Sequence, residues 1–150
     1  MIIRRARRDD VPALVAILRD DALGTGGETP EGEPLPLSYD EAFGEIAASA
    51  TSELYVAEED GRIVGCFQLD FLRRLARRGA RIAEIESVQV HSSRRGRGLG
   101  AEMLRFAIGR ARERGCVRLQ LTTQKVRVDA QRFYKRLGFV ASHEGMKLTL

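Results

Sequence analysis

Residues 82–101 read IAEIESVQVHSSRRGRGLGA, and this stretch decides the fold of the chain. Its first half alternates apolar and polar residues, which predicts a strand over 82–90. Its second half is a turn with glycines at 96, 98 and 100, and an amphipathic pattern closed by Gly115 predicts a helix over 99–114. A strand followed by a turn and a helix is a building block of α/β domains.

The alternation within the strand changes phase at its middle. Apolar residues stand at positions 83 and 85, opposite Glu84 and Glu86, but beyond Ser87 they stand at positions 88 and 90. Because alternation has a period of two, this shift predicts one extra residue, a β-bulge near 86–88. The alternative is a strand buried on both faces with two carboxylates at its edge. A bulge leaves N–H groups without a strand partner, and such groups can stabilise a developing oxyanion.

The glycine turn predicts an anion site. Three residues without Cβ atoms let an anion approach the free N–H groups of a helix N-terminus, and Arg94, Arg95 and Arg97 add positive charge. The lysine and hydroxyl of a P-loop are missing, which disfavours an NTPase. Glycines 96 and 98 with the alanine at 101 match a loose dinucleotide fingerprint, but the next strand ends without the acidic residue that holds a ribose. A pyrophosphate ligand is the prediction.

The elements outside this stretch complete an α/β domain. Strands are predicted at 2–5, 53–58, 62–72, 117–123 and 146–150, with an Asp60-Gly61 hairpin between the second and third. Helices are predicted from 9–12 (DDVP), from a capping box at 38–41 (SYDE) to about 50, and over 128–137. A long loop over 24–38 and an arginine-rich turn over 73–81 join them. We expect one domain, residues 1–150, built around one mixed sheet.

Composition narrows the class of protein. The chain has 150 residues, 25 Lys and Arg against 21 Asp and Glu, and a net charge of +4, which favours polyanionic ligands in general. Cys66 and Cys116 lie in apolar runs and are predicted to be reduced core thiols, and no metal-ligand spacing is found. No apolar run approaches a membrane span or signal peptide, so a cytoplasmic protein is expected. Aromatic residues are few, which disfavours nucleic-acid binding through the arginine clusters.

Two motifs resemble one family. Arg95-x-x-Gly98-x-Gly100, preceded by residues 88–91 (VQVH), resembles the acyl-CoA signature of GNAT-superfamily N-acetyltransferases. Residues 133–139 (FYKRLGF) resemble that family's Tyr-x-x-Leu-Gly-Phe segment. Their order and spacing agree over nearly the whole chain. The resemblance implies a mostly antiparallel sheet that splays between two central parallel strands, flanked by about four helices, and transfer of an acetyl group from acetyl-CoA to a primary amine.

The resemblance also implies roles for single residues. The acyl-CoA arm would pair with the backbone of Val88, Gln89 and Val90, and the pyrophosphate would lie on the turn. The turn residues are Arg95, Gly96, Arg97, Gly98, Leu99, Gly100 and Ala101. Arg127 stands where relatives often have an asparagine, and we expect it either to contact cofactor phosphate or to pair with Asp129.

Catalytic roles are implied for three side chains. Tyr134 would be the general acid, although its helical spacing with Phe133 also fits a core position. Glu84 and Glu86 are candidates for the general base, with a water chain as the alternative. The acceptor would be a small-molecule or peptide amine. Glu28, Glu31 and Glu33 make the loop before the second helix acidic, and these charges either attract a cationic amine or are ordinary solubilising charges of a loop. The rival function is an acyl-CoA sensor without catalysis. The sequence leaves the oligomeric state open between a monomer and a homodimer, and the family often forms dimers.

Overall fold

The computed structural model describes residues 1–21 and 27–150 and confirms the predicted mixed sheet. Its strands run in the order β1-β2-β3-β4-β5. Pairing is antiparallel from β1 to β4 and parallel between β4 and β5, so the parallel pair lies at one end of this order. The strands are β1 (Ile2–Arg5), β2 (Ser52–Glu59), β3 (Arg62–Arg73), β4 (Arg81–Val90) and β5 (Leu119–Gln120).

Helices cover both faces of the sheet. They are α1 (Val11–Arg19), α2 (Leu37–Ala48), the short α3 (Ala76–Gly79), α4 (Leu99–Glu113) and α5 (Val128–Arg136). Leu14 and Ile17 of α1 pack with Val56 and Cys66 on one face. On the other face the buried side of α4 packs against β2, β3 and β4, and the aromatic residues of α5 join this larger cluster. None of the helices within these residues is long and apolar enough to cross a membrane.

Two predicted strands differ from the structure. Residues 146–150 form no strand, and Met146 and Leu148 are almost fully exposed. The predicted strand 117–123 is reduced to two paired residues. Alternation is a local signal, whereas a strand also needs a partner edge, and neither segment has one over its predicted length. The prediction of α2 was also inexact, because the helix begins at Leu37 and no side chain caps it. Residues 24–26 of the predicted long loop lie outside the described residues.

A buried carboxylate joins the sheet to α4. Glu53 of β2 is 4% exposed. Arg110 of α4 donates to it through Nε (2.8 Å) and Nη2 (2.7 Å), and the hydroxyl of Tyr55 donates at 2.7 Å. Burial opposes the charge on Glu53, but these hydrogen bonds outweigh it and lower its pKa to about 2. The ion pair therefore holds the helix that follows the glycine turn.

Candidate functional site

Strand β4 contains the predicted bulge. Residues 66 and 68 of β3 pair with residues 89 and 86 of β4, so Ser87 and Val88 together oppose Phe67. Ser87 takes a left-handed φ of 52°, as the first residue of such a bulge often does. Its carbonyl accepts a weak hydrogen bond of 3.6 Å from the thiol of Cys66. Side chains 83, 85, 88 and 90 all join the same core cluster, which confirms the phase shift read from the sequence.

Just before the bulge, β4 loses its neighbour on one side. Pairing between β4 and β5 is limited to Ala83 with Leu119 and Glu84 with Gln120. Pairing with β3, in contrast, continues to Val90. Residues 85–90 therefore present a strand edge with no strand partner on the β5 side in the described part of the chain. An extended ligand can add to such an edge through main-chain hydrogen bonds, and Val88, Gln89 and Val90 all lie on it.

The glycine turn carries this open edge into the N-terminus of α4. Gly96 and Gly98 have φ values of 76° and 84°, and a Cβ atom at either would meet no atom within 4 Å. The amides of residues 96–100 donate no hydrogen bond within residues 1–21 and 27–150. The first bonded amide is that of Ala101, which donates to the carbonyl of Gly98 at 3.0 Å. Consecutive N–H groups without an acceptor at a helix N-terminus are able to bind an anion.

Asp20, which directly follows α1, binds the residues that precede the glycine turn. The carboxylate of Asp20 accepts the Ser92 N–H at 2.5 Å, and Arg95 donates to the Asp20 carbonyl at 2.5 Å and to the Val90 carbonyl at 2.9 Å. Burial opposes the charge of Asp20, but the Ser92 hydrogen bond and nearby Arg95 lower its pKa. The Arg95 side chain thus joins the end of β4 to the end of α1. Arg97, in contrast, is exposed and forms no ion pair with any described residue.

Arg127 is anchored to the segment that follows α1. Its guanidinium forms an ion pair with Asp21, while Asp129 pairs with Arg132 instead. The expected alternative of an Arg127–Asp129 pair is therefore wrong. Asp21 lies 106 positions away in the chain, and no local pattern in the sequence points to such a partner.

Tyr134 lies in an aromatic cluster beside the glycine turn. Its ring centroid is 5.2 Å from that of Phe133 and 5.7 Å from that of Phe139. A Cβ atom at Gly100 would come within 3.3 Å of the Phe133 ring, so the third glycine lets α5 approach α4. Burial raises the pKa of Tyr134, although Arg127 opposes this effect. Because its pKa lies above the ordinary value, the hydroxyl is protonated at neutral pH, and it makes no hydrogen bond to any described residue.

A polar row crosses the opposite face of the sheet, beside α1. The row consists of one residue from each of four neighbouring strands, at positions that pair directly with one another. The next row along the same face contains Gln68 and Glu86. Gln120 donates to Glu84 at 2.9 Å. The residues of the main row are Ser52, Asp70, Glu84 and Gln120.

The sequence-predicted residues thus lie on both faces of the sheet at β4. Glu84 and Glu86 project from the α1 side of β4, whereas Tyr134 and the side chains of Val88 and Val90 pack on the α4 side. The sequence did not predict the polar residues that lie beside Glu84 on its face. The alternation of Gln68 and Asp70 with buried apolar residues in β3 is the pattern that could have indicated them.

Comparison with known proteins agrees with this geometry. The model of the acetyltransferase (GNAT) family matches residues 11–139. Glucosamine 6-phosphate N-acetyltransferase 1 of Oryza sativa subsp. japonica is 31% identical over 138 residues, 87% of this chain and 82% of the relative. A crystal structure of a transcriptional regulator from Bacillus halodurans C-125 has a TM-score of 0.94 and 47% identity, covering 99% of both chains.

A third similarity concerns the fold. A predicted acetyltransferase from Clostridium acetobutylicum, in a crystal structure with acetyl-CoA, has a TM-score of 0.75 and 22% identity over 99% of this chain and 95% of that one. The family match spans the bulged strand, the glycine turn and the aromatic helix together. The chain therefore belongs to the acetyltransferase (GNAT) family and is an acetyl-CoA-dependent acyltransferase.

Proposed function

We propose that residues 1–150 form one N-acetyltransferase domain that transfers the acetyl group of acetyl-CoA to a primary amine. The single observation that carries this proposal is the succession of two segments with unpaired backbone groups. The edge of β4 over residues 85–90 is followed, after a short turn at Ser92–Arg94, by five consecutive amides at 96–100 that donate no hydrogen bond to a described residue. An extended thioester with a diphosphate tail needs these two features in this order.

The chain's own groups fit such a donor. The free amides of residues 96–100, with the helix dipole and the exposed Arg97, would hold the diphosphate. The backbone of Val88, Gln89 and Val90 would pair with the extended arm. Arg127 is committed to Asp21 in this structure, so a contact between Arg127 and a phosphate would require that ion pair to rearrange.

Three groups would carry the reaction. Acetyl-CoA supplies the thioester carbonyl that a neutral amine attacks, forming a C–N bond as the C–S bond breaks. The N–H of Val88 would donate to the carbonyl oxygen, and loss of one such donor typically costs ~10²–10³ in rate. Glu84, or Glu86 through a water, would accept the proton that the amine loses. Tyr134 would protonate the departing sulfur, and each acid or base role contributes roughly 10²–10⁴.

A matched pair of tyrosine variants tests this assignment. Tyr134→Phe removes the free hydroxyl and is expected to lower kcat about 100-fold, with acetyl-CoA affinity unchanged. Tyr39→Phe is the control. Tyr39 lies in α2, and its hydroxyl already donates a hydrogen bond to Glu28 at 2.5 Å, so it is not available as a proton donor to a leaving group. Release of free CoA thiol measures kcat, and calorimetry measures affinity. A loss of less than about threefold in the Tyr134 variant would remove this residue from the acid role.

The second candidate is an acyl-CoA sensor without catalysis. The protein from Bacillus halodurans that is 47% identical to this chain is called a transcriptional regulator, which favours a role in binding. Both functions require acetyl-CoA binding, and they differ in thioester consumption. Turnover of any amine in a broad panel supports the transferase, whereas calorimetric binding without turnover supports the sensor.

A further inference from the structure

The turn between β3 and β4 concentrates positive charge. Residues 73–81, which we call the tip, read RRLARRGAR. Four arginines of the tip are exposed and form no ion pair with any described residue: Arg73, Arg74, Arg77 and Arg78. Asp70 and Glu84, the carboxylates nearest to the tip in the chain, instead accept hydrogen bonds from the neutral side chains of Ser52 and Gln120. No ion pair within residues 1–21 and 27–150 therefore neutralises these four charges.

A nearly fully exposed apolar side chain stands among these arginines. Leu75 is 97% exposed, and Val117 is 68% exposed. The amide of Val117 donates to the carbonyl of Arg81 at 2.9 Å, which places Val117 beside the base of the tip. Because removal of a leucine side chain from water is favourable, the tip suits a partner that offers an apolar phase next to anionic groups.

Two of the arginines occupy backbone positions that favour glycine. Arg77 and Arg78 have φ values of 55° and 61°. A Cβ atom disfavours this left-handed conformation, whereas glycine adopts it freely. Glycine does occupy the next position, where Gly79 has a φ of 71°. Arginine at two positions where glycine is favoured indicates that these side chains have a role beyond formation of the turn.

The tip lies apart from the predicted donor site. The last ladder pair of β3 with β2 is at Asp70, and the pairing of β4 with β5 begins at Ala83, so residues 74–80 extend past both neighbouring strands. The tip and the glycine turn stand at opposite ends of β4, a strand of 10 residues that spans about 30 Å. A partner can therefore contact the tip and leave the glycine turn open.

The composition and size of the tip favour a lipid surface over other polyanions. The tip contains no aromatic residue that could stack on a base, and its helical turn α3 has 4 residues, too short to read a groove of a duplex. A stable protein interface takes about 20–30 residues from each partner, many more than the tip supplies. An anionic bilayer requires neither feature. Its headgroup region accepts a single apolar side chain, and arginine binds phosphate through two parallel hydrogen bonds.

We propose that the tip docks this protein on an anionic lipid surface, with Leu75 entering the headgroup region and the four exposed arginines contacting lipid phosphates. Each arginine near such a surface contributes about fivefold in affinity, and burial of the leucine side chain adds about tenfold. The docking is sensitive to salt, because exposed charges are screened. The inference is independent of the proposed acetyl transfer, since no residue of the tip takes part in that reaction.

Sedimentation with lipid vesicles tests this docking. We expect the protein to bind vesicles of equimolar phosphatidylserine and phosphatidylcholine at low salt, and not to bind vesicles of phosphatidylcholine alone. The double variant Arg77→Gly, Arg78→Gly is expected to bind about 20-fold more weakly. Its midpoint of urea unfolding should stay equal or rise, because glycine relieves the left-handed strain. Leu75→Ser, at a side chain without packing partners, is expected to weaken binding about tenfold at an unchanged midpoint.

A charge-matched control removes two arginines elsewhere. Arg105 of α4 and Arg136 of α5 are exposed and form no ion pair in the described part of the chain. The double variant Arg105→Gln, Arg136→Gln has the net charge of the double tip variant, and we expect it to bind vesicles as the parent does. A parallel series contains acetyl-CoA, because the glycine turn is a second basic surface. Acetyl-CoA is expected to leave vesicle binding unchanged.

Each outcome decides the proposal. Selective binding to phosphatidylserine vesicles that both tip variants weaken, and that acetyl-CoA leaves intact, supports it. Absence of binding to these vesicles, or equal weakening in the control variant, overturns it. Binding that acetyl-CoA abolishes would assign the lipid to the glycine turn and also overturns it. A fluorescent DNA duplex that the tip arginines bind more tightly than vesicles would assign this surface to nucleic acid instead.

Discussion

The ion pair between Glu53 and Arg110 gives a prediction whose size follows from the structure. The pair ties β2 to α4, and the pKa of Glu53 falls from its ordinary 4.5 to about 2. Because the pKa is lowered in the folded state, Glu53 contributes its full stability above pH 4.5. That contribution is lost as the pH falls from 4.5 towards 2.

Glu53→Gln keeps the shape of the protonated side chain and removes its charge. At about 1.4 kcal/mol for each pKa unit, the lowered pKa corresponds to about 3 kcal/mol at pH 7. We therefore expect the variant to lose about 3 kcal/mol of unfolding free energy at pH 7 and roughly half of this at pH 3. Urea unfolding followed by circular dichroism at both pH values measures the two differences.

Glu113→Gln is the matched control for this experiment. Glu113 accepts from the same Arg110 at 3.0 Å, but its side chain is 67% exposed. Exposed pairs contribute about 0–1 kcal/mol, so the control is expected to lose less than about 1 kcal/mol. The reasoning is refuted if Glu53→Gln loses no more than this control, or if its loss is equal at the two pH values.

Smaller tests address the turn and the thiols. Gly98→Ala is expected to cost about 1 kcal/mol in urea unfolding, because φ is 84° and the new Cβ meets no atom within 4 Å; an unchanged midpoint would contradict the strain. A chromogenic thiol reagent at pH 8 is expected to modify Cys116 but not Cys66, which is 1% exposed and whose pKa burial raises to about 12. Reaction of both thiols at equal rates in the native protein would be the contrary result.

The parts of the site encoded by local pattern were predictable. The phase shift around Ser87 predicted the bulge, and the glycines at 96, 98 and 100 predicted a turn with free amides. Both signals lie within a few consecutive residues, and each follows from the period of a strand or the conformation of a glycine.

The parts that depend on distant partners were not predictable. Asp20 holds Ser92 across 72 positions, and Asp21 holds Arg127 across 106. Neither pairing has a sequence signature, because many backbone N–H groups could bond Asp20 and any of 25 basic residues is a chemically suitable partner for Asp21. The shortening of β5 has the same origin, since its length is set by where β4 diverges from it and not by its own alternation.

Deletion of Ser87 tests whether the bulge itself, and not the side chains around it, makes the site. Without Ser87, positions 83, 85, 88 and 90 alternate regularly, and Val88 becomes the partner of Phe67 while the pairs on either side keep their register. The variant also loses a left-handed residue, which costs about 1–2 kcal/mol, so its stability should be equal or higher.

Acetyl-CoA affinity, in contrast, should fall about tenfold or more in the deletion variant. In a regular strand, the N–H groups that the bulge leaves without a partner would return to the β3–β4 ladder. Ser87→Gly is the control, since glycine accepts a φ of 52° and keeps the bulge, and we expect it to bind as the parent does. Calorimetry with acetyl-CoA and urea unfolding on both variants measure the two effects. A deletion variant that folds and binds acetyl-CoA like the parent would show that the extra residue is not what opens this strand to its ligand.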